Sequence, residues 1–316
     1  LVHEGGRPDD DVRIGDALRA ALAPMLTDAA GPRVPVLGIT GTGGSGNFIN
    51  KVDTFAVALA LVAKGYCMVS ADAGESVAGD LNGDGKQRWN TALIADNIDL
   101  KNLETLFAAW ETLGLVPAST PRFALGMSNG GGFSIALGTV AVAPVDANFP
   151  RLRFRAVASY CADGQTNFAK ATTTPSALYM CGNDDNDGVS NAKAQTNSQA
   201  VGARGIATDF AANPPTPLYN QRFARIEGIS LNTSAQIAGQ FRAAGFTNTA
   251  GLLIKTSEDI AAAVQATPSA FPAVVRLAPT LQRNVLNQLR IMLANHHTYP
   301  NYAQRNVAFF LRFTAP

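Results

Sequence analysis

The chain has 316 residues, 47% of them hydrophobic and only 16% charged, with 25 Lys and Arg against 24 Asp and Glu. That length and apolar content suit a globular protein with one large core, or a core carrying an insertion. A net charge of +1 gives no electrostatic reason to expect nucleic acid or an anionic membrane as partner, and the apolar run "FAVALALVA" at 55–63 is too short to span a bilayer.

The chain opens at Leu1, which suggests a processed start, and its first thirty residues hold one helix-like run, "ALRAALAPML". From about residue 33 to 204 strand-like and helix-like runs alternate. "VPVLGIT" is followed by the helical "FINKVDTFAVALALVAKG" and the strand "YCMVSAD". After a polar loop come the helix "IADNIDLKNLETLFAAWETLG", the strand "RFALGM" and the helix "GGFSIALGTVAV". Two further strands, "RFRAVASY" and "SALYMC", precede the helix "VSNAKAQTNSQAVGARG". Such alternation predicts an α/β fold, a mostly parallel sheet with helices on both faces.

From about 206 to 282 the rhythm breaks. The Pro-rich "NPPTP" leads into two amphipathic patterns, "SLNTSAQIAGQFRAAGF" and "TSEDIAAAVQA", each with Ser or Thr at its start. The sheet rhythm then resumes at "NQLRIMLANHH", and "NYAQRNVAFFLRF" closes the chain as a helix. The expected organisation is therefore a core over 1–205, a helical cap inserted over 206–282, and a return to the core over 283–316 with a strand leading to the histidines.

Chemistry concentrates at "GMSNG", Gly126 to Gly130, a G-x-S-x-G pattern between a short apolar strand and an apolar helix. A strand, a tight turn and a helix are what a nucleophile elbow needs, with small neighbours letting Ser128 project its hydroxyl. A serine nucleophile needs an imidazole to take its proton. Of the three histidines, His3 stands near the N-terminus, whereas His296 and His297 stand between the last expected strand and the final helix. A carboxylate should orient that imidazole from a loop after an intervening strand, and "CGNDDNDG" offers Asp184, Asp185 and Asp187. The oxyanion requires backbone N–H donors. Asn129, directly after the nucleophile, supplies one, and Thr42, in the glycine-rich loop "GTGGSG" after the first core strand, supplies the other.

Other motifs compete for these segments. "GTGGSG" also satisfies G-x-G-x-x-G between a strand and a helix, with Asp72 ending the next strand; this is the layout of an NAD(P)-dependent oxidoreductase. No Tyr in the chain is followed four residues later by Lys, so the usual short-chain dehydrogenase donor pair is missing. "DLNGDGKQ" matches the opening of a calcium loop, with oxygen ligands at Asp80, Asn82 and Asp84 and a turn at Gly85. Position twelve would be Thr91 in place of the bidentate Glu, so the segment also reads as an Asx-rich turn. If the strands ending at Cys161 and Cys181 are neighbours, those thiols lie at one sheet edge and a disulfide joins them. That bridge, the low Lys content and the wealth of Asn, Thr, Gln and Ala lean toward a secreted or periplasmic protein.

Taken together, "TGTGG" at 40–44, "GMSNG", "CGNDD" at 181–185 and "HHTYP" at 296–300 resemble the α/β-hydrolase superfamily. Within it the likeness is to secreted esterases of the polyhydroxybutyrate-depolymerase and feruloyl-esterase type. The resemblance implies Asp185 as the acid, three residues past Gly182, and His297 as the base, directly before Thr298-Tyr299-Pro300. Asp184, Asp187 and His296 are the alternates. Thr40 and Cys181 stand where the family usually has histidines, and Tyr299 where it has tryptophan. The implied activity is cleavage of a small-molecule or polymeric, polyester-type ester through an acyl-enzyme, without a required cofactor; the same machinery also opens activated C–C bonds such as those of a β-diketone.

Overall fold

The computed structural model describes residues 34–41, 48–49, 52–81, 83, 85–164, 166–182 and 189–314. These residues divide into two compact units. The first holds the sheet and comprises the chain up to Met180, Val189–Ala211, and the chain from Thr298 onward. The second comprises residues 212–297 together with the segment that starts at Cys181.

Six strands form one sheet: β1 (Val34–Ile39), β2 (Tyr66–Ser70), β3 (Phe123–Met127), β4 (Ala156–Tyr160), β5 (Ser176–Cys181) and β6 (Thr208–Asn213). Their order is β2-β1-β3-β4-β5-β6, and the pairs β1–β2, β1–β3, β3–β4 and β4–β5 are parallel. Every residue of β3, β4 and β5 is buried, which is why these strands read as unbroken apolar runs with no polar alternation. The α/β class expected from the sequence is the one observed.

Helices cover both faces. On one face Leu37, Ile39, Ala124 and Val157 pack with Leu103 and Phe107 of α3 (Ile98–Thr112) and with Phe133 and Leu137 of α4 (Asn129–Leu137). Two helices precede these, α1 (Val52–Val62) and the short α2 (Gly74–Ala78). Further along that face, Leu178 and Met180 meet Phe168 of α5 (Thr166–Ala171) and Ala194 and Val201 of α6 (Asn191–Ala203). On the other face the C-terminal helix (Pro300–Leu311) lays Phe310 against Phe123 and Tyr66, and Tyr302 against Tyr160 and Tyr179. α3 is also tied to the start of β3. Arg122, 5% exposed, donates to Glu111 and lies 4.8 Å over the Phe107 ring, while Arg151 donates to both Glu104 and Glu111. The Arg122 and Arg151 bonds hold the Glu111 carboxyl below the usual glutamate range.

The second unit has its own core. α7 (Leu231–Ala243), α8 (Ser257–Ala266), α9 (Pro272–Val275) and α10 (Pro279–Met292) enclose Phe223, Ile237, Phe241, Phe246, Phe271, Val285 and Leu289. Ser230 and Thr256 cap α7 and α8, as the sequence anticipates, the latter in a reciprocal capping box with Asp259.

Three expectations are corrected. The rhythm does not break at 206, because "TDFAAN" forms the edge strand β6; its half-buried pattern hides it from a search for apolar runs. Second, the histidines do not follow a strand. Residues 279–292 are the helix α10, whose Val285, Leu289 and Met292 are buried at helical spacing with Pro279 in the first turn. Third, no disulfide forms; all three cysteines are described and each is a thiol. Tyr160 pairs in register with Tyr179, so Cys181 lies one residue past the partner of Cys161, and its sulfur is engaged elsewhere. One of the arguments for export falls with the bridge.

Candidate active site

The parallel strands β1 and β3 end at the same sheet edge, and there the chain makes two close turns. Ser128 follows β3 with φ 57° and ψ −123°, a backbone conformation that L-residues rarely adopt and that costs on the order of 1–3 kcal/mol unless the surroundings impose it. The surroundings do impose it. The Ser128 N–H donates to the Tyr160 carbonyl at 2.8 Å, and its own carbonyl accepts from Gly132 at 3.0 Å as the first turn of α4. The glycines of the motif are steric necessities. A Cβ on Gly126 would lie 2.0 Å from the Gly130 oxygen, and one on Gly130 would lie 2.1 Å from the Thr40 oxygen. Strand, strained serine and helix are packed backbone against backbone, the strand–tight turn–helix arrangement that the G-x-S-x-G spacing predicts.

Ser128 is half-buried and stands at the cap position of α4, yet its hydroxyl makes no capping bond to that helix. A serine at such a position ordinarily turns its oxygen onto the helix N–H groups. Here the oxygen makes no such bond, and the backbone N–H of Asn129, the first residue of α4, stands at the positive end of the helix dipole. The turn after β1 reaches the same place. An added Cβ on Gly41 would sit 3.2 Å from the Ser128 Cβ and 3.8 Å from its Oγ. The loop that carries Thr42 therefore starts against the serine; Thr42 itself, with the rest of "GTGGSG", lies outside the described residues.

One clasp escaped the sequence reading. The Asn129 side chain accepts from the Trp89 N–H at 2.8 Å and donates back to the Trp89 carbonyl at 3.2 Å. Trp89, 3% exposed, stacks on Phe133 of α4 at 4.9 Å. The loop carrying Trp89 is pinned from behind by two buried acids: Asp99 accepts from Asn90 and Gly74, and Glu75 accepts from Arg88. Burial pushes the Asp99 carboxyl up, opposed by those two N–H bonds and reinforced by the neighbouring Glu75. Asn129 thus serves twice, its amide at the helix start and its side chain as the fastener of an adjoining wall. Only the G-x-S-x-G motif hinted at this position.

The histidines belong to the second unit and are described within it. α10 ends in a turn at Ala294, φ 51°, and His296 and His297 follow, both half-exposed. The Cys181 thiol donates to the His297 carbonyl at 3.0 Å. Asp184, Asp185 and Asp187 lie outside the described residues, as do Asn82 and Asp84 of the calcium pattern. Asp80 is described, and its two carboxylate oxygens accept from the N–H groups of Gly83 and Gly85, the bonding of an Asx-type turn. No group of three or more metal-ligating side chains occurs among the described residues.

No family model matches the chain, and no curated protein matches it. Solved structures similar to it include Arabidopsis thaliana SOBER1, at 15% identity and a TM-score of 0.37 over 67% of this chain and 98% of that one. A Bacillus cereus carboxylesterase is similar at 11% identity and a TM-score of 0.38 over 70% of this chain and 98% of its own. A phospholipase/carboxylesterase from Dyadobacter fermentans is similar at 15% identity and 0.38 over 60% and 85%.

Proposed function

We propose that the protein is a serine esterase. The observation that carries this reading is Ser128 itself, held at φ 57° and ψ −123° at a helix start, its oxygen making no bond to the helix it caps and two backbone turns converging on it. In the proposed reaction the Ser128 oxygen attacks an ester carbonyl carbon while His297 accepts the hydroxyl proton and Asp185 stabilises the resulting imidazolium. The amides of Asn129 and Thr42 bind the oxyanion. Collapse expels the alkoxide, which takes the proton from His297 and leaves as an alcohol, with the acyl group on Ser128. Water, deprotonated by the same imidazole, then releases the acid and restores the serine. The route requires no cofactor.

A hydrophobic or polyester-type acyl group is the finer proposal. Its support is the likeness of "TGTGG", "GMSNG", "CGNDD" and "HHTYP" to polyester-cleaving esterases; the phenylalanines of the helical unit fill that unit's own core.

Hydrolysis of p-nitrophenyl butyrate tests the assignment. Ser128→Ala and His297→Ala should each lower kcat by at least about 10³-fold with the fold intact, and Asp185→Ala should lose more than Asp184→Ala or Asp187→Ala. His296→Ala should keep most activity; the reverse ranking of the histidines would move the base by one residue, and an active Ser128→Ala would remove the reading.

A further inference from the structure

We infer that Cys181 is a positioning residue for His297, a proposal that rests on the reading of His297 as the catalytic base. Cys181 is the last residue of β5 and is fully buried, and its sulfur lies 3.0 Å from the carbonyl oxygen of His297. A thiol is a weak donor, so the value of this contact is geometric. It fixes the backbone of the residue whose side chain must meet a proton within a few tenths of an ångström.

The neighbouring contacts show a joint built at this point. Gly182 donates its N–H to the Asn213 carbonyl at 2.7 Å. A Cβ on Gly182 would lie 2.8 Å from Pro215 Cδ, 2.9 Å from the Asn213 oxygen and 3.4 Å from the Ala294 Cβ, so the chain here is seated directly on the turn that leads to the histidines. Three residues past Asn213, Thr216 donates to the Met292 carbonyl at 2.9 Å, at the end of α10. Ala294, at positive φ, then turns the chain out of the helix. The root of the segment bearing the acid candidates and the turn bearing the base are thereby locked to one another. Within that lock the thiol touches His297 directly.

Volume and hydrogen bonding separate in three variants of the full chain. Cys181→Val keeps the bulk and deletes the donor; Cys181→Ser keeps the donor and loses some bulk; Cys181→Ala loses both. Cys181→Val is expected to lower kcat on p-nitrophenyl butyrate about tenfold with KM within about twofold, and to slow fluorophosphonate labelling in parallel. Cys181→Ser should stay within about threefold of the parent, a rescue that packing alone would not give. Should Cys181→Val fail to fold, the Ala and Ser pair decides, with Ala impaired and Ser not. A fully active Cys181→Val, or a Ser variant as impaired as Ala, would overturn the proposal. If the parent fails to label at Ser128, or His297→Ala stays active, the underlying reading has failed instead; normal labelling with an inert His297→Ala and an unaffected Cys181→Val refutes the positioning role alone.

Discussion

At the residue scale the turn at Ser128 leaves no room for a side chain at Gly126 or Gly130, and neighbouring glycines should respond oppositely to the same change. Gly130→Ala would place a methyl 2.1 Å from the Thr40 oxygen and 2.4 Å from that of Ile39, with backbone on both sides, so it should destabilise the fold by about 1–3 kcal/mol and abolish hydrolysis. Gly132→Ala meets only the Thr91 methyl at 3.7 Å and gains helix propensity, so it should raise the free energy of unfolding measured in urea by up to about 1 kcal/mol. Equal destabilisation by the two would mean that α4 does not lie on β1 as described. Asn129→Ala keeps the amide proposed for the oxyanion but deletes both bonds to Trp89. It should lower kcat by roughly tenfold, far less than Ser128→Ala, and shift the tryptophan emission to the red as Trp89 loosens. The strand, the turn at Ser128 and the helix with its packed glycines were legible because backbone geometry dictates small residues at fixed spacing. The Trp89 clasp was not, since a side chain that reaches across 40 residues leaves no local pattern.

At the element scale the apolar strands and the helices α3, α6, α7 and α8 follow from periodicity and caps, for the physical reason that each buries a continuous face. The segments misread were those whose local pattern looks like that of another element. β6 is an edge strand of half-buried and exposed residues, and the end of α10, "LRIM", is short and apolar enough to look like a strand when taken alone. The link from α3 to the sheet predicts a pH dependence. Glu111 is held below its ordinary range by Arg122 and Arg151, so its contribution is present above the unfolded value near 4.3 and is lost as pH falls through the lower folded value. Asp99 has the opposite sign, its raised carboxyl favouring the protonated form, with stability lost as pH rises through its folded value. Glu111→Gln should therefore lower the melting temperature at pH 7 by roughly 4 °C and flatten the loss of stability below pH 4. An unchanged acid limb in thermal melts would show that the Arg122 pair contributes nothing.

At the scale of the whole molecule the chain is an α/β core with a helical unit that possesses its own buried aromatic cluster. The sequence disclosed the helices of that unit, and its phenylalanines pack into the unit's own core, where Phe246 and Phe271 stack at 5.7 Å. With the hydrophobic acyl group proposed above, catalytic efficiency on p-nitrophenyl esters should rise from acetate to hexanoate, each methylene buried contributing about 0.8 kcal/mol. A steep preference for acetate would contradict a hydrophobic acyl site. In the proposed reaction Ser128 is a nucleophile activated by His297. The most direct test of that role is reaction of the full chain with a fluorophosphonate, followed by intact mass and peptide mapping. One adduct per chain is expected, located on Ser128, its formation slowed severely by His297→Ala and hardly by His296→Ala. A chain that takes up no label, or takes it up at another residue at the same rate in Ser128→Ala, would contradict the proposed reaction.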